Sequence, residues 1–209
     1  SSTSRGLGDV YKRQRVASIE SYIGLVEVGV GLVPAGGGLK EAAVRAFTEA
    51  KGNDILQFLK TGFTNAATAQ VSKSALEAKA MGYLKEDDII VFNPYELLHV
   101  AKTTARAMFD AGYRAPMRRP VQVTGRYGWA TIRGQLVNMR DGGFISAYDY
   151  HLGDTIAEIV TGGDIDQGSV VSEQWLLDME RKAFIALLSN PKTQERIMGM
   201  MQNGKPVRN

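Results

Sequence analysis

Glu27 is the residue whose type and surroundings are best suited to chemistry. It is the one charged side chain between Glu20 and Lys40, in a stretch dominated by Val, Leu, Ile and Gly. Transfer of a carboxylate from water to an apolar site raises its pKa by up to ~3–5 units. A carboxylate of that kind can donate and accept protons near neutrality. The alternative is an exposed Glu at the end of a strand, and composition alone favours that alternative.

The other residues that could bind a metal do not form a recognisable site. His99 and His151 each lie in a predicted helix without a metal-binding partner four residues further on. The segment GDIDQG at 163–168 departs from a calcium loop, since Gly replaces one ligand and Trp175 replaces the closing Glu. The absence of Cys excludes thiolate nucleophiles and cysteine zinc sites. The sequence therefore predicts no metal site.

The glycine triplet at 36–38 lies between a strand-like stretch and a helix, where phosphate-binding loops occur. The Walker pattern requires Gly-Lys-Ser/Thr, but Gly38 is followed by Leu39 and Lys40. The dinucleotide fingerprint G-x-G-x-x-G directly after a strand is also missing. A tight turn that brings the backbone close to another group stays open, beside an ordinary loop.

The elements that must position these residues are mostly helices. β-branched runs predict short strands near 20–26 and 89–92. Ser74 starts a capping-box pattern, and Asn93-Pro94 is a second helix-start signal. Apolar spacing and end signals predict helices over 39–52, 53–71, 74–82, 93–112, 129–141, 147–161, 172–189 and 190–204. The segment 113–128, with two prolines and five arginines, predicts a boundary between a module at 15–112 and a helical module at 113–209.

Length and composition exclude several classes of protein. The chain has 209 residues, 44% of them hydrophobic, with a net charge of +3. Residues 1–14 contain DVYKRQ, whose back-translation resembles a transposon end used in sequencing libraries, so we expect a non-native, functionally silent scar. Removing it leaves a nearly neutral protein, which gives no electrostatic case for nucleic acid. We expect no membrane span and a cytoplasmic location.

Four segments resemble the crotonase (enoyl-CoA hydratase/isomerase) family. Residues 24–38 are similar to its F-G-x-P-E stretch, L-G-x-x-P and G-G turn, and residues 74–84 to its A-x-x-A-x-x-x-G-L-V segment. Residues 93–98 resemble its P-x-x-E-L helix, and residues 177–209 its closing helices. Residues 135–153 and 162–168 look like the C-terminal hydratase portion of bifunctional 3-hydroxyacyl-CoA dehydrogenase/enoyl-CoA hydratase proteins. The family's first catalytic Glu would lie upstream.

The resemblance implies an α/β fold, the helix-rich C-terminal half of a crotonase-like spiral with 15–112 as the second half of its core. It implies a lyase of fatty-acid β-oxidation that hydrates 2-enoyl-CoA to 3-hydroxyacyl-CoA. Glu27 would be a catalytic acid–base group, and the substrate-binding residues would be Gly24, Pro34, Gly37 and Gly38. Val26 and Leu39 depart from the family's usual Pro and Thr.

The implied partners are an acyl-CoA thioester, a missing N-terminal part of the same polypeptide, and further copies in a homo-oligomer. No cofactor is expected in this portion, and NAD only in the missing dehydrogenase part, so the fragment alone is expected to be inactive. An enoyl-CoA double-bond isomerase needs only one carboxylate at the position of Glu27, so it stays an alternative. A non-catalytic helical scaffold is the other alternative.

Overall fold

Local helix-start signals decide where most elements begin. The structure, a computed structural model, describes residues 14–114 and 120–209. The expectation of a silent scar at 1–14 therefore falls almost entirely outside the described residues. Ser74 accepts a hydrogen bond from the Glu77 N–H (3.1 Å), and Asn93 accepts one from the Tyr95 N–H (3.2 Å), so both act as N-caps.

Eight α-helices form in the described residues, and their positions match the helical segments expected from the sequence. They are α1 Gly38–Ala50, α2 Ile55–Ala67, α3 Ala75–Ala80, α4 Leu97–Asp110, α5 Gly125–Asp141, α6 Ala147–Thr161, α7 Glu173–Leu188 and α8 Pro191–Asn203. Short 3₁₀ helices cover Glu27–Val30 and Pro94–Glu96. The fold is therefore helix-rich with few strands, as expected.

The strands form two small sheets. β1 (Val16–Ser18) pairs in parallel with β2 (Ile89–Val91), and β3 (Val121–Gln122) pairs antiparallel with β4 (Val170–Val171). The expected strand near 89–92 is confirmed. The expected strand near 20–26 is wrong, because the described backbone there shows only an isolated bridge between Gly24 and Val71. The Ile23 N–H is donated to the Ser72 side chain (3.1 Å), so it does not contribute to a strand ladder.

The chain forms two compact units that do not follow the expected division at 112/113. The described part of the first unit runs to Gly24 and resumes at Val71, and its small core contains Ala17, Ala75, Ala78 and Leu84. The second unit combines Leu25–Gln70 with the segment that ends at Asn209. Helix α6 is central to it, because its apolar residues are buried in one core with those of α1 and α2. Segment 25–70 therefore belongs with the C-terminal helices.

Candidate functional site

Glu27 opens a 3₁₀ helix in the second unit. The residue is partly buried, and its Oε2 atom is buried. Gly31 ends the short helix in the left-handed conformation (φ +78°), and the Leu32 N–H returns to the Glu27 carbonyl (3.0 Å). Glu27 therefore does not lie at the end of a strand. A tight backbone turn holds its carboxylate at the protein's edge.

Helix α8 holds this turn from behind. The Thr193 hydroxyl donates to the Gly31 carbonyl (2.6 Å), and Arg196 Nη1 donates to the Val28 carbonyl (3.3 Å). Both side chains are fully buried. Arg196 also binds Asp149 of α6 (2.9 Å), so the turn that carries Glu27 is tied to two helices through a buried ion pair.

The Asp149 carboxylate is shared between two guanidinium groups. Besides Arg196 it accepts a hydrogen bond from Arg208 (3.0 Å). Partial burial opposes the charged form, but the hydrogen bond and charge of Arg196 and the charge of Arg208 outweigh it, so the pKa of Asp149 is lowered. Asp149 also completes the capping box with Ser146 at the start of α6.

The glycine turn is occupied by a side chain of the same protein. Gly37 has φ +93° and precedes α1, so the first N–H groups of that helix point outward from its positive end. Glu180 of α7 accepts hydrogen bonds from the Gly37 and Lys40 N–H groups, both at 2.7 Å. A phosphate would need the same N–H groups. The anion at this helix start is therefore an internal carboxylate.

Glu180 is fully buried, which raises the pKa of its carboxyl to about 7. Burial is the largest cause, and the backbone hydrogen bonds of Lys40, Gly37 and Leu39, with the Lys40 charge, oppose it. Sequence reasoning missed this residue. Leu176, Glu180 and Leu187 follow one helical stripe, so a Glu in an apolar register was the available signal.

Lys40 is a second buried charge beside the glycine turn. Its Nζ atom lies 3.0 Å from Glu173 Oε2 and 3.1 Å from Glu41 Oε2. Burial would raise the pKa of Glu41, but the charges of Arg45 and Lys40 outweigh it and hold that pKa below its ordinary value. Lys40 therefore links α1 to the start of α7 through ion pairs.

The residues expected to bind substrate lie in different surroundings. Gly24 belongs to the first unit and forms the bridge to Val71. Pro34 is buried in the loop between the 3₁₀ helix and the glycine turn. A Cβ at Gly38 would lie 2.7 Å from the Leu25 side chain, so that position admits only glycine without movement of Leu25. The Gly37 N–H is already donated to Glu180. The substrate-binding roles of these residues stay predictions.

An open depression of about 380 Å³ lies elsewhere in the second unit. Its lining is Ile165, Ser169, Val170, Val171, Ser172 and Trp175, which includes none of the expected site residues. Within the two described stretches, no group of three or more His, Asp or Glu side chains is placed to hold a metal ion. Among the described helices, none is both long and apolar enough to cross a membrane.

The fold and the site together define a helix-rich α/β protein with one partly buried carboxylate on a glycine-flanked turn. No family model matches the chain. The chain is similar to a probable 3-hydroxyacyl-CoA dehydrogenase from Bacillus subtilis (strain 168), with 39% identity over 193 residues. The match covers 92% of this chain and 24% of the relative, so the chain spans about a quarter of the length of the curated relative it matches.

This relative corrects the resemblance drawn from sequence motifs. The identification as a crotonase-family hydratase portion is wrong, and so are the hydratase function and the lyase class, because the matching protein is named as a dehydrogenase, an oxidoreductase. The expected link to 3-hydroxyacyl-CoA dehydrogenase agrees with that name. Several of the matching motifs, such as Ser74 and Asn93-Pro94, are helix-start signals that any helix can use. Their presence therefore carried little information about chemistry.

Proposed function

We propose that the chain is a helical portion of a 3-hydroxyacyl-CoA dehydrogenase-type protein that acts on acyl-CoA thioesters in fatty-acid metabolism. The observation that supports this proposal is the 39% identity with the Bacillus subtilis relative along 92% of the chain. An identity of that level over nearly the whole chain is not produced by shared helix propensity alone, since propensity is only a weak constraint on sequence.

NAD is the cofactor expected for the dehydrogenase part of such a protein, and the described residues do not fit it. The N–H groups at the start of α1, which could bind a pyrophosphate, are used by Glu180. Strand β2 is followed by Asn93 and Pro94 instead of a glycine-rich turn. We therefore assign no step through the nucleotide to this chain.

Glu27 is the residue of this chain that we propose for proton transfer on the acyl-CoA. It is a carboxylate with one buried oxygen, on a turn whose backbone is held by Thr193 and Arg196. A fixed backbone lets a carboxylate meet a reacting atom without a large loss of side-chain freedom. Pro34, Gly37 and Gly38 stay proposed neighbours of the thioester.

The proposed function is tested with the protein expressed from the complete reading frame that contains this sequence. We expect NAD reduction that depends on added 3-hydroxyacyl-CoA, followed by the absorbance of the reduced nicotinamide. Absence of any 3-hydroxyacyl-CoA-dependent NAD reduction in a folded protein would contradict the proposal.

The role of Glu27 is tested by Glu27→Gln in the same protein. We expect kcat to fall about 10²–10⁴-fold, the usual contribution of a positioned acid–base group. Binding of the acyl-CoA should change little, since the amide has the same size and needs no charge desolvation. Glu41→Gln is the matched control, because Glu41 lies on the following helix and pairs with Lys40 and Arg45. Retention of more than half of the activity by Glu27→Gln would refute the role.

A further inference from the structure

Helix α4 buries none of its residues. It has 14 residues, and five of them, Leu97, Val100, Ala101, Thr104 and Met108, are half-buried on the side that faces its own unit. An isolated helix of this length is only marginally stable in water, so helices in proteins depend on packing of an amphipathic face. The opposite side of α4 is apolar as well, and it is open.

The open side forms a regular stripe, which we call the seam: Tyr95, Leu98, Lys102, Ala105 and Phe109. The spacing of three and four residues is that of the contact positions of a coiled coil. Tyr95 is 94% exposed, Leu98 is 80% exposed and Phe109 is 75% exposed. Exposed aromatic and aliphatic side chains in one contiguous stripe mark an interaction site. The geometry is suited to a second helix lying along α4.

The charges on the seam decide which helix fits. Lys102 lies at its centre, and His99 and Arg106 flank it, with Arg106 paired to Asp110 of the same helix (2.9 Å). In a second copy of this chain packed antiparallel, Lys102 would face Lys102, and Arg106 would face His99. Like charges across a helix pair oppose association. The seam therefore favours a partner helix that carries carboxylates.

We propose that the seam of α4 binds an acidic amphipathic helix from the remaining portion of the same dehydrogenase-type protein. This inference rests on the proposed function, because the curated relative is about four times as long as the matched segment. In this arrangement Leu98 and Phe109 are buried by the partner's apolar residues, and a partner carboxylate faces Lys102.

The test measures protection of Lys102 from acylation, site by site, by mass spectrometry. In the 209-residue chain alone, we expect Lys102 to react as fast as Lys60, an exposed lysine of α2. In the protein from the complete reading frame, Lys102 should react about tenfold more slowly or less, while Lys60 is unchanged. A carbodiimide should also join the Lys102 amine to a carboxylate outside residues 15–209.

Two variants separate the seam from general effects. Phe109→Asp in the complete protein should restore fast acylation of Lys102 and abolish the cross-link, since loss of a central aromatic anchor weakens an interface by about tenfold or more. Phe144→Asp is the matched control, because Phe144 is equally exposed (81%) but lies in the second unit. It should change neither readout. Both Phe residues are exposed, so neither variant should disturb folding.

Three outcomes would overturn the inference. Full reactivity of Lys102 in the complete protein would show that the seam is open. Protection in the 209-residue chain alone, with dimers in sedimentation and a cross-link between isotopically distinct copies, would show that a second copy is the occupant. Equal loss of protection in Phe144→Asp would show a non-specific effect. A complete protein that reduces NAD but leaves Lys102 reactive contradicts the seam alone, whereas a protected Lys102 without NAD reduction contradicts the proposed function alone.

Discussion

Glu180 makes the stability of the second unit depend on pH in an unusual direction. Its carboxyl has a folded-state pKa of about 7, against an ordinary value of 4.5. Because the folded state holds this proton more tightly than the unfolded state, the contribution is fully present below pH 4.5 and is lost as the pH rises through 7. Between pH 5 and pH 8 the free energy of unfolding should fall by about 2.5 kcal/mol from this group.

The Glu180→Gln variant isolates that contribution. Gln does not titrate, so the difference in free energy of unfolding between wild type and variant cancels the other ionisable groups. The amide oxygen can replace only one carboxylate oxygen, so one of the N–H groups of Gly37 and Lys40 loses its acceptor. That loss adds a pH-independent destabilisation of about 1–3 kcal/mol.

The assay is denaturant unfolding at a series of pH values, followed by tryptophan fluorescence. Both tryptophans, Trp129 and Trp175, belong to the second unit, so the signal reports on that unit. Asp178→Asn is the control, because Asp178 lies on the same helix but is exposed. Its difference from wild type should stay constant across the series.

A difference between wild type and Glu180→Gln that grows with pH would refute this reasoning. It would mean that the amide hydrogen bonds and the positive end of α1 favour the charged carboxylate more than burial disfavours it. A flat difference would show that the two influences cancel, and the pKa of Glu180 would then be close to its ordinary value.

Two further predictions concern the packing of the second unit. Asp149→Ala leaves the buried guanidinium of Arg196 without its 2.9 Å partner, and unfolding experiments should show a loss of about 3–5 kcal/mol; a loss below about 1 kcal/mol would contradict the buried ion pair. Gly125→Ala should lower the thermal midpoint sharply, because φ is +55° and the new Cβ would lie 2.3 Å from the Ile165 carbonyl oxygen. Gly134→Ala in the same helix has open space around it and should instead stabilise by roughly 0.5–1 kcal/mol.

Elements with a local cause were predictable from the sequence. Ser74, Asn93 and Asn190 each stand before a helix and accept a hydrogen bond from its first turn. Gly204 ends α8 in the left-handed conformation that its position predicts. These signals act over a few residues, so one sequence is enough to find them. The strand expected at 20–26 failed because strand formation depends on a neighbour far along the chain.

The supports of the candidate site depend on distant contacts and were missed for the same reason. Thr193 reaches a carbonyl 162 residues away, and Glu180 caps a turn 143 residues away. Lys40 and Arg196 read as ordinary surface charges, since charged side chains are rarely buried unless paired. Their burial follows from the ion pairs with Glu173 and Asp149 that the fold creates.

The glycine-rich segment that first drew attention thus contains two carboxylate sites with different roles. At the glycine turn, Glu180 uses the N–H groups of α1, so an external anion there must first displace a buried carboxylate and leave it without hydrogen bonds, at a cost of several kcal/mol. The carboxylate of Glu27 is only partly buried, and the buried contacts that fix its turn come from the backbone partners Thr193 and Arg196. An acyl-CoA can approach Glu27 without breaking those contacts. Chemistry on this segment is therefore to be sought at Glu27, and the glycine turn is best understood as the joint that ties α7 to α1.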